Sequence, residues 1–449
     1  MECLMKYFDV LVAGYGVSGK SAVNLSCFLK KTIAVIDERA VSPDDVPPGV
    51  EILDQYNAAE PLPFRAGTAV ISPGIRAGNP LLEQIAAASD RVTGELAFAA
   101  AETACPLVGI TGTNGKTTTT ELTTALFQAL GEKAEAAGNI GAGLSDGVIA
   151  ARKGEVERLI VEVSSFQMEY GAIPVQAAAV LNLASDHIDR HGTADAYAQL
   201  KFSLANAAEK AVVLNANLQG ERKKFLRDGL PVITFSAWMP DADLTLENGK
   251  DICYKKSVIL SVDECRLKGR HNVENMMAAL ALVAAVKGEG VLKDERIRQA
   301  LRDFQPDHHR AECFLERDGI RFVDDSKATN PHAVNAALDL FSDPAGGKNI
   351  LLLLGGLDKD MDFAELIPHL GSVKKIYLAG QCRAKIKAAL DGVCPMEDCG
   401  RFDDAAAAMC RDAVSGDVVL LSPATASMDE FRNYKERGDR FKAVCTGKL

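Results

Sequence analysis

The chain has 449 residues and a formal net charge of −11, with 47% hydrophobic and 25% charged residues. That size and balance describe a soluble protein of about three domains, and the acidic excess argues against nucleic acid as a partner. Eleven scattered cysteines, odd in number and without metal-ligand spacing, fit a reducing compartment better than a disulfide framework.

Met1 to Asp9 mixes polar and apolar residues, so no secretory leader is expected and the cytoplasm is the expected compartment. The longest apolar run, Met276 to Val286, is too short to span a bilayer; it reads as a buried helix, with no membrane insertion. No internal repeat or low-complexity segment is present.

A strand is predicted over Phe8–Ala13, entering Gly14-Tyr-Gly-Val-Ser-Gly19, a G-x-G-x-x-G turn, and then a helix over Lys20–Lys31. A second strand, Thr32–Ile36, ends at Asp37, an acid about 20 positions beyond the glycines, where a Rossmann-type site holds a ribose hydroxyl. The pattern admits two readings, a phosphate-binding turn or a glycine turn for tight helix–strand packing. NAD is the default ligand, but any nucleoside diphosphate satisfies the same physics. A further strand, Ala69–Ser72, runs into Ser72-Pro-Gly-Ile75, a turn that would line the crevice at the carboxyl end of a parallel strand. Residues 1–103 thus form a Rossmann-like domain.

Pro106–Ile110 is a buried strand, Thr117–Leu130 a helix, and Thr111-Gly-Thr-Asn-Gly-Lys-Thr-Thr-Thr-Thr120 joins them. Strand, glycine loop with Gly-Lys-Thr, and helix is the geometry of a phosphate-binding loop. Backbone N–H groups and the helix N-terminus face an anion, Lys116 reaches the outer phosphates, and the Thr117 hydroxyl is placed for Mg²⁺. The spacing departs from the usual pattern, because Ile110 stands where the first glycine belongs. Ala137-Gly-Asn-Ile-Gly141 is a polar turn. Arg158–Glu162 is a strand whose last residue is an acid, costly to bury unless it meets a cation or donors. Ala177–Leu183 leads into Ser185-Asp-His-Ile-Asp-Arg-His191, a titratable cluster that reads as a catalytic or metal-binding loop. A helix over Tyr197–Ala208 carries Lys201. Strands follow at Ala211–Asn215 and Pro231–Phe235, then hairpins over Asp241–Glu264. Lys268-Gly-Arg-His-Asn-Val-Glu-Asn275 opens the long apolar helix; it either touches a nucleotide or caps the helix. This central domain covers 104–306.

In 307–449, Asp307-His-His-Arg310 precedes Arg321-Phe-Val-Asp-Asp-Ser-Lys-Ala-Thr-Asn330. Strands at Ile350–Leu354, Lys375–Leu378 and Val418–Leu421 alternate with helices, predicting a second Rossmann-like parallel sheet. The last strand enters Ser422-Pro-Ala-Thr-Ala-Ser-Met-Asp-Glu-Phe431 and then Tyr434.

TGTNGKTTTT, AGNIG, VEVSSFQ, SDHIDRH and LKGRHNVEN occur here in an order and spacing that resemble the Mur ligase family. DSKATN and SPATASMDEF are similar to its D-glutamate-adding members. The resemblance covers all three domains. It implies a three-domain α/β fold and joining of D-glutamate to UDP-N-acetylmuramoyl-L-alanine through an acyl phosphate, with ATP and two Mg²⁺. It implies ATP contacts from Gly112, Thr113, Asn114, Gly115, Lys116, Thr117, Thr118, Asn275 and Arg310, and a ribose contact from Asp325. For the UDP-linked substrate it points to Gly14, Val17, Ser18, Asp37, Glu38, Arg39, Ser72, Gly74, Asn139, Ser164 and His187. Lys327, Thr329, Ser427 and Tyr434 are the implied D-glutamate contacts. Thr117, Glu162, His187 and Lys201 are the implied metal set, Lys201 as a carbamate, and Lys116, Glu162, His187 and Lys201 the implied catalytic group. A monomer is expected, and domain closure with it, because the substrates touch every domain. Two rivals are a folylpolyglutamate synthase-like ligase and a nucleotide-binding regulator. The first lacks a domain like the one bearing Gly14 and Asp37, and the second has no need of the full catalytic set.

Overall fold

The computed structural model describes residues 6–53, 62–76, 78–184, 188–305, 309–343, 346–358 and 361–447; at 188 and 189 it describes the backbone only. Among the described residues, three sheets follow one another along an α/β chain. They fall within 1–103, 104–306 and 307–449. The chain forms two compact units. One comprises Met1–Leu183, Arg190–Arg266 and Val273–Phe304 and holds the first two sheets. The other comprises Ala184–Asp189, Leu267–Asn272 and Gln305–Leu449 and holds the third.

The first sheet is parallel, in the order Val50–Ile52, Ile33–Ile36, Lys6–Ala13, Phe64–Ile71, Ser89–Gly94. Val10, Leu11, Val12 and Ala13 are buried, as a strand covered on both faces requires. The strand order reverses between Lys6–Ala13 and Phe64–Ile71, so ligand-binding loops belong at the carboxyl ends of that pair. The first helix runs Val17–Phe28 rather than Lys20–Lys31. The reason is Gly19, which lies inside the helix and packs on the glycine turn: a Cβ there would stand 1.9 Å from the Gly14 carbonyl oxygen.

The second sheet runs from Ser257–Ser261 through Asp251–Tyr254, Leu244–Glu247, Val232–Ser236, Ala208–Asn215, Val175–Val180, Leu107–Thr111 and Arg158–Glu162 to Ala134–Gly138. The hairpins expected over 241–264 are its antiparallel edge. Its centre is parallel, and Leu107–Thr111 lies between Arg158–Glu162 and Val175–Val180. The apolar run of the long helix Arg270–Lys287 is buried from Met276 to Ala284. No helix among the described residues is long and apolar enough to cross a membrane.

One hydrophobic core joins the first two sheets. It takes Ala22, Val23 and Leu25 from the first helix, Leu96 and Phe98 from Glu95–Ala101, and Leu144 and Val148 from Leu144–Arg152. Inside this contact Glu95 accepts from the Ser145 amide at 2.6 Å, and burial raises its carboxyl to about 7.

The third sheet has the order Glu312–Arg317, Ile320–Asp324, Val418–Leu421, Ile350–Gly355, Val373–Ala379, Met396–Gly400. It is parallel except for the antiparallel edge strand Glu312–Arg317. All six residues of Ile350–Gly355 are buried.

Candidate active site

The phosphate loop leaves the carboxyl end of Leu107–Thr111 and enters the helix Lys116–Ala129 at Gly115. Gly115 has φ +80°, and a Cβ on it would lie 2.3 Å from Asn275 Oδ1. Both the left-handed backbone and the closeness of Asn275 therefore demand glycine. Asn275 Oδ1 also accepts from the Thr119 hydroxyl at 3.3 Å, so the long helix is fastened to the start of the loop's own helix.

Asn182, just past the adjacent strand, clamps the loop from the other side. Its Oδ1 accepts from the Asn114 amide at 2.8 Å and its Nδ2 donates to the Asn114 carbonyl at 3.1 Å. The Asn182 carbonyl accepts from the Thr113 amide at 3.0 Å. Sequence reasoning missed this residue, since an asparagine closing an apolar strand carries no signal of its partner 68 positions away. The Thr113 hydroxyl meets the Tyr197 hydroxyl at 3.0 Å.

Two lysines converge on one carbonyl. Lys116 Nζ donates to the oxygens of Gly112 at 2.9 Å and Thr113 at 2.8 Å. Lys201, 1% exposed on the helix Ala194–Asn206, donates to the same Gly112 oxygen at 2.9 Å and lies over the Tyr197 ring at 4.4 Å. Thr117 is half-buried in the first helical turn and Thr118 is buried.

Glu162 ends the strand on the loop's other flank, in register with Ile110. Its Oε1 accepts from Asn139 Nδ2 at 2.9 Å, which brings these two predicted residues together. Its Oε2 is buried and has no hydrogen-bond partner. An orphaned carboxylate oxygen in an interior is costly, and beside a phosphate loop it fits a cation with hard oxygen ligands such as Mg²⁺. Ser164 caps the short helix Ser165–Met168 in a reciprocal bond with Gln167. His187 lies outside the described residues. Of its loop, Arg190 pairs with Glu169 at 2.6 Å and stacks over Phe166 at 4.1 Å, while His191 Nε2 meets the Ser165 hydroxyl at 3.0 Å. Those two are held against the segment 165–169.

At the strand-order reversal of the first sheet, Gly14 and Ser72 abut: a Cβ on Gly14, φ +87°, would stand 2.6 Å from Ser72 Cβ. Asp37 bridges two loops by accepting from the Tyr15 amide at 2.5 Å and the Arg39 amide at 2.8 Å. Glu38 accepts from Asn79 Nδ2 at 3.0 Å. Val17, Gly74, Glu38 and Arg39 are exposed and Ser18 is half-buried, which leaves an open face around the glycine turn.

In the C-terminal unit, Lys327 Nζ lies 4.0 Å above the Tyr434 ring. The buried Arg437 holds the loops that carry the predicted residues. It donates to the Ser326 carbonyl at 2.8 Å, the Ser326 hydroxyl at 3.0 Å and the Thr425 carbonyl at 3.1 Å. Ser427 is buried in a turn whose carbonyl accepts from the Phe431 amide at 2.9 Å. Two acids of that turn accept from backbone amides: Asp429 from Gln381 at 3.0 Å, and Glu430 at 3.3 Å from Phe402, the first residue of the helix Phe402–Asp412. Thr329 is half-buried, next to Asn330, which caps the helix Pro331–Phe341.

Asp325 is buried, with Oδ2 accepting from the Ser422 hydroxyl at 2.7 Å and Oδ1 from the Ala311 amide at 3.1 Å. Desolvation raises its carboxyl to about 7, against those hydrogen bonds and the Arg310 charge. Arg310 stands between two non-glycine residues in left-handed backbone, His309 at φ +68° and Ala311 at φ +45°. His309 is held by Asp324 Oδ2, 2.6 Å from its Nδ1. Gly438 makes room for that pair, since a Cβ on it would lie 2.2 Å from His309 Nδ1. His309, Glu312 and Asp324 cluster at metal-like spacing, but Lys442 Nζ already pairs with Glu312 at 2.6 Å and Asp324 at 3.5 Å. An ammonium thus takes the place of an ion.

A phosphate loop flanked by an orphaned acid, a buried lysine and a Rossmann-like first sheet defines a nucleoside-triphosphate-dependent α/β enzyme. Residues 110–283 match the Mur ligase middle domain, and 309–425 match the Mur ligase, glutamate ligase domain. A UDP-N-acetylmuramoylalanine–D-glutamate ligase from Acidobacterium capsulatum is 35% identical over 98% of this chain and 96% of its own. The chain belongs to the Mur ligase family. Its fold is similar to two solved structures from Thermotoga maritima. One is UDP-N-acetylmuramate–alanine ligase, with TM-score 0.64 and 14% identity over 98% of this chain and 100% of that one. The other is a MurF ligase in complex with ADP, with TM-score 0.62 and 18% identity over 99% and 96%.

Proposed function

We propose that this chain adds D-glutamate to UDP-N-acetylmuramoyl-L-alanine with cleavage of ATP, in the cytoplasm and as a monomer, using domains bounded near residues 103 and 306. It is an ATP-dependent carbon–nitrogen ligase of peptidoglycan precursor synthesis. The observation that carries the reading is end-to-end similarity to a relative of that name. The phosphate loop and the unpartnered Glu162 oxygen support it.

In the first step an alanyl carboxylate oxygen attacks the γ-phosphorus of ATP, the bond to the β–γ bridging oxygen breaks, and ADP leaves an acyl phosphate. The D-glutamate amine then attacks the acyl carbon, the carbon–oxygen bond to phosphate breaks, and the nitrogen loses a proton. Little covalent chemistry falls to the protein, so positioning and charge compensation do the catalysis. Lys116 exchanges its backbone carbonyls for phosphate oxygens, and the loop amides with the helix N-terminus meet the rest. Thr117 and Glu162, with His187 and Lys201, would hold two magnesium ions, which supply neutralisation of phosphate charge. Asn139, tied to Glu162, faces the acyl group; Asn275 and Arg310 contact the nucleotide and Asp325 its ribose. Gly14, Val17, Ser18, Asp37, Glu38, Arg39, Ser72, Gly74 and Ser164 serve the UDP-linked substrate. Lys327, Thr329 and Ser427 hold the carboxylates of D-glutamate, and the Tyr434 ring steadies the Lys327 ammonium.

The test is phosphate release from ATP with UDP-N-acetylmuramoyl-L-alanine, comparing D-glutamate with L-glutamate, L-alanine and meso-diaminopimelate. Release with D-glutamate alone is expected. Release with another amino acid instead would keep the ligase chemistry and overturn the roles of Lys327, Thr329 and Ser427.

Lys201 is proposed to carry a carbamate, which keeps one N–H for the Gly112 carbonyl and adds an anion beside the metal set. Lys201→Ala is expected to lose most of its turnover while still binding ADP in calorimetry. Near wild-type turnover would remove the carbamate from the mechanism.

A further inference from the structure

Cys410 and Cys445 have no part in the ligase chemistry, yet their sulfurs lie 3.4 Å apart. Cys410 is on the helix Phe402–Asp412 and Cys445 near the end of Tyr434–Thr446. The two helices share one apolar core that includes Phe402, Ala405, Met409, Phe441 and Cys445, with Cys410 packed against it. They are joined a second time by Arg440 and Asp403, whose atoms approach to 2.5 Å. Other described thiols point at oxygens instead: Cys105 at the Pro106 carbonyl, Cys394 at Val373 and Cys399 at Glu397.

We propose that Cys410 and Cys445 form an oxidisable thiol pair, a reversible modification site at which a hydroperoxide converts the two side chains into a disulfide. The sulfurs need to close from 3.4 Å to the ~2.05 Å of the bond. The two positions differ in the way such chemistry requires. Cys410 is half-buried, while Cys445 is 2% exposed. Arg317 stands beside them, donating to the Cys445 carbonyl at 3.3 Å. The bond from the Cys445 thiol and the Arg317 charge pull the Cys410 thiol down, and the same contact together with burial pushes Cys445 up.

The Cys410 thiolate attacks one peroxide oxygen; the O–O bond breaks, hydroxide leaves, and Cys410 becomes a sulfenic acid. The Cys445 sulfur then attacks the Cys410 sulfur, the S–O bond breaks, and water departs with the Cys445 proton. Two thiols lose two electrons and one peroxide becomes two waters. The product ties the last helix, with Tyr434 in its first turn and Arg437 holding the Ser326 and Thr425 carbonyls, to the helix Phe402–Asp412. It closes a loop that contains Ser427. Cross-linking both ends of such a loop restricts the unfolded chain, so the oxidised protein gains stability that a thiol reductant reverses. In a reducing compartment this is a transient state, formed under peroxide stress.

The experiment treats the full chain with stoichiometric hydrogen peroxide and digests it without reduction. A linked peptide pair bearing Cys410 and Cys445 is expected, with a melting temperature several degrees higher that returns to its starting value in dithiothreitol. Cys410→Ser abolishes both changes, and Cys313→Ser, at an exposed cysteine, abolishes neither. In Cys445→Ser, dimedone labels Cys410, because the sulfenic acid has no second thiol to resolve it. Treated protein in which both cysteines still alkylate, or in which Cys410 proceeds to sulfinic acid with Cys445 intact, overturns the proposal.

Discussion

Lys116→Ala is expected to lower kcat by about 100-fold or more, equivalent to at least ~3 kcal/mol of barrier. The fold has no reason to fail. Position 116 opens a helix, where alanine is favourable, and the loop stays fixed by Asn182 on Asn114 and by Asn275 at Gly115. What disappears is the ammonium that bonds the Gly112 and Thr113 carbonyls and that is proposed above to meet the phosphates of ATP. No neighbour replaces it in kind, because Lys201 is buried and already donates to Gly112. Steady-state kinetics with saturating ATP, alongside a melting curve to certify the fold, decide the matter. An unchanged turnover number would exclude the phosphate-loop assignment.

Glu162→Gln is expected to move activity and stability in opposite directions. Glutamine is nearly isosteric, and its carbonyl oxygen keeps the bond from Asn139. It replaces the buried, partnerless Oε2 with an amide that carries no charge to desolvate, which relieves part of a penalty of about 1–3 kcal/mol. The same change removes a hard anionic ligand, so turnover should fall by about 100-fold or more and the magnesium concentration for half-maximal rate should rise. A residue that served only the fold would lose stability and keep its magnesium response. A magnesium titration and a melting curve on one preparation separate the two, and an unmoved midpoint with retained activity would remove Glu162 from the metal set.

Where local chemistry dictated local structure, the sequence was readable. Gly-Lys-Thr between an apolar strand and an amphipathic helix left few alternatives, and Glu162 closing a buried strand announced its cost in advance. Elements whose residues prefer something else were less visible. The edge strands Ala134–Gly138 and Met396–Gly400 are rich in alanine, glycine and acids, which are poor strand formers; pairing with a strong neighbour imposes their conformation. The antiparallel edge Glu312–Arg317 was likewise unseen, because alternation along one strand says nothing of its partner's direction. The Asn182 clamp and Arg437 were beyond reach for a third reason. Each acts on backbone atoms distant in sequence, and backbone carries no residue identity to match.

The left-handed residues on either side of Arg310 have a consequence for how that side chain is presented. Glycine would suit both positions sterically, and His309 and Ala311 each cost on the order of 1–3 kcal/mol in its place. A glycine pair, however, would leave the backbone many conformations to lose when a ligand arrives. Here that ordering is already complete: the His309 ring is fixed by Asp324 and seated on Gly438, and the Ala311 amide by Asp325. Strain accepted at folding would thus become entropy saved at binding: were Arg310 to meet an anion, as proposed, it would do so from a backbone that has nothing further to give up.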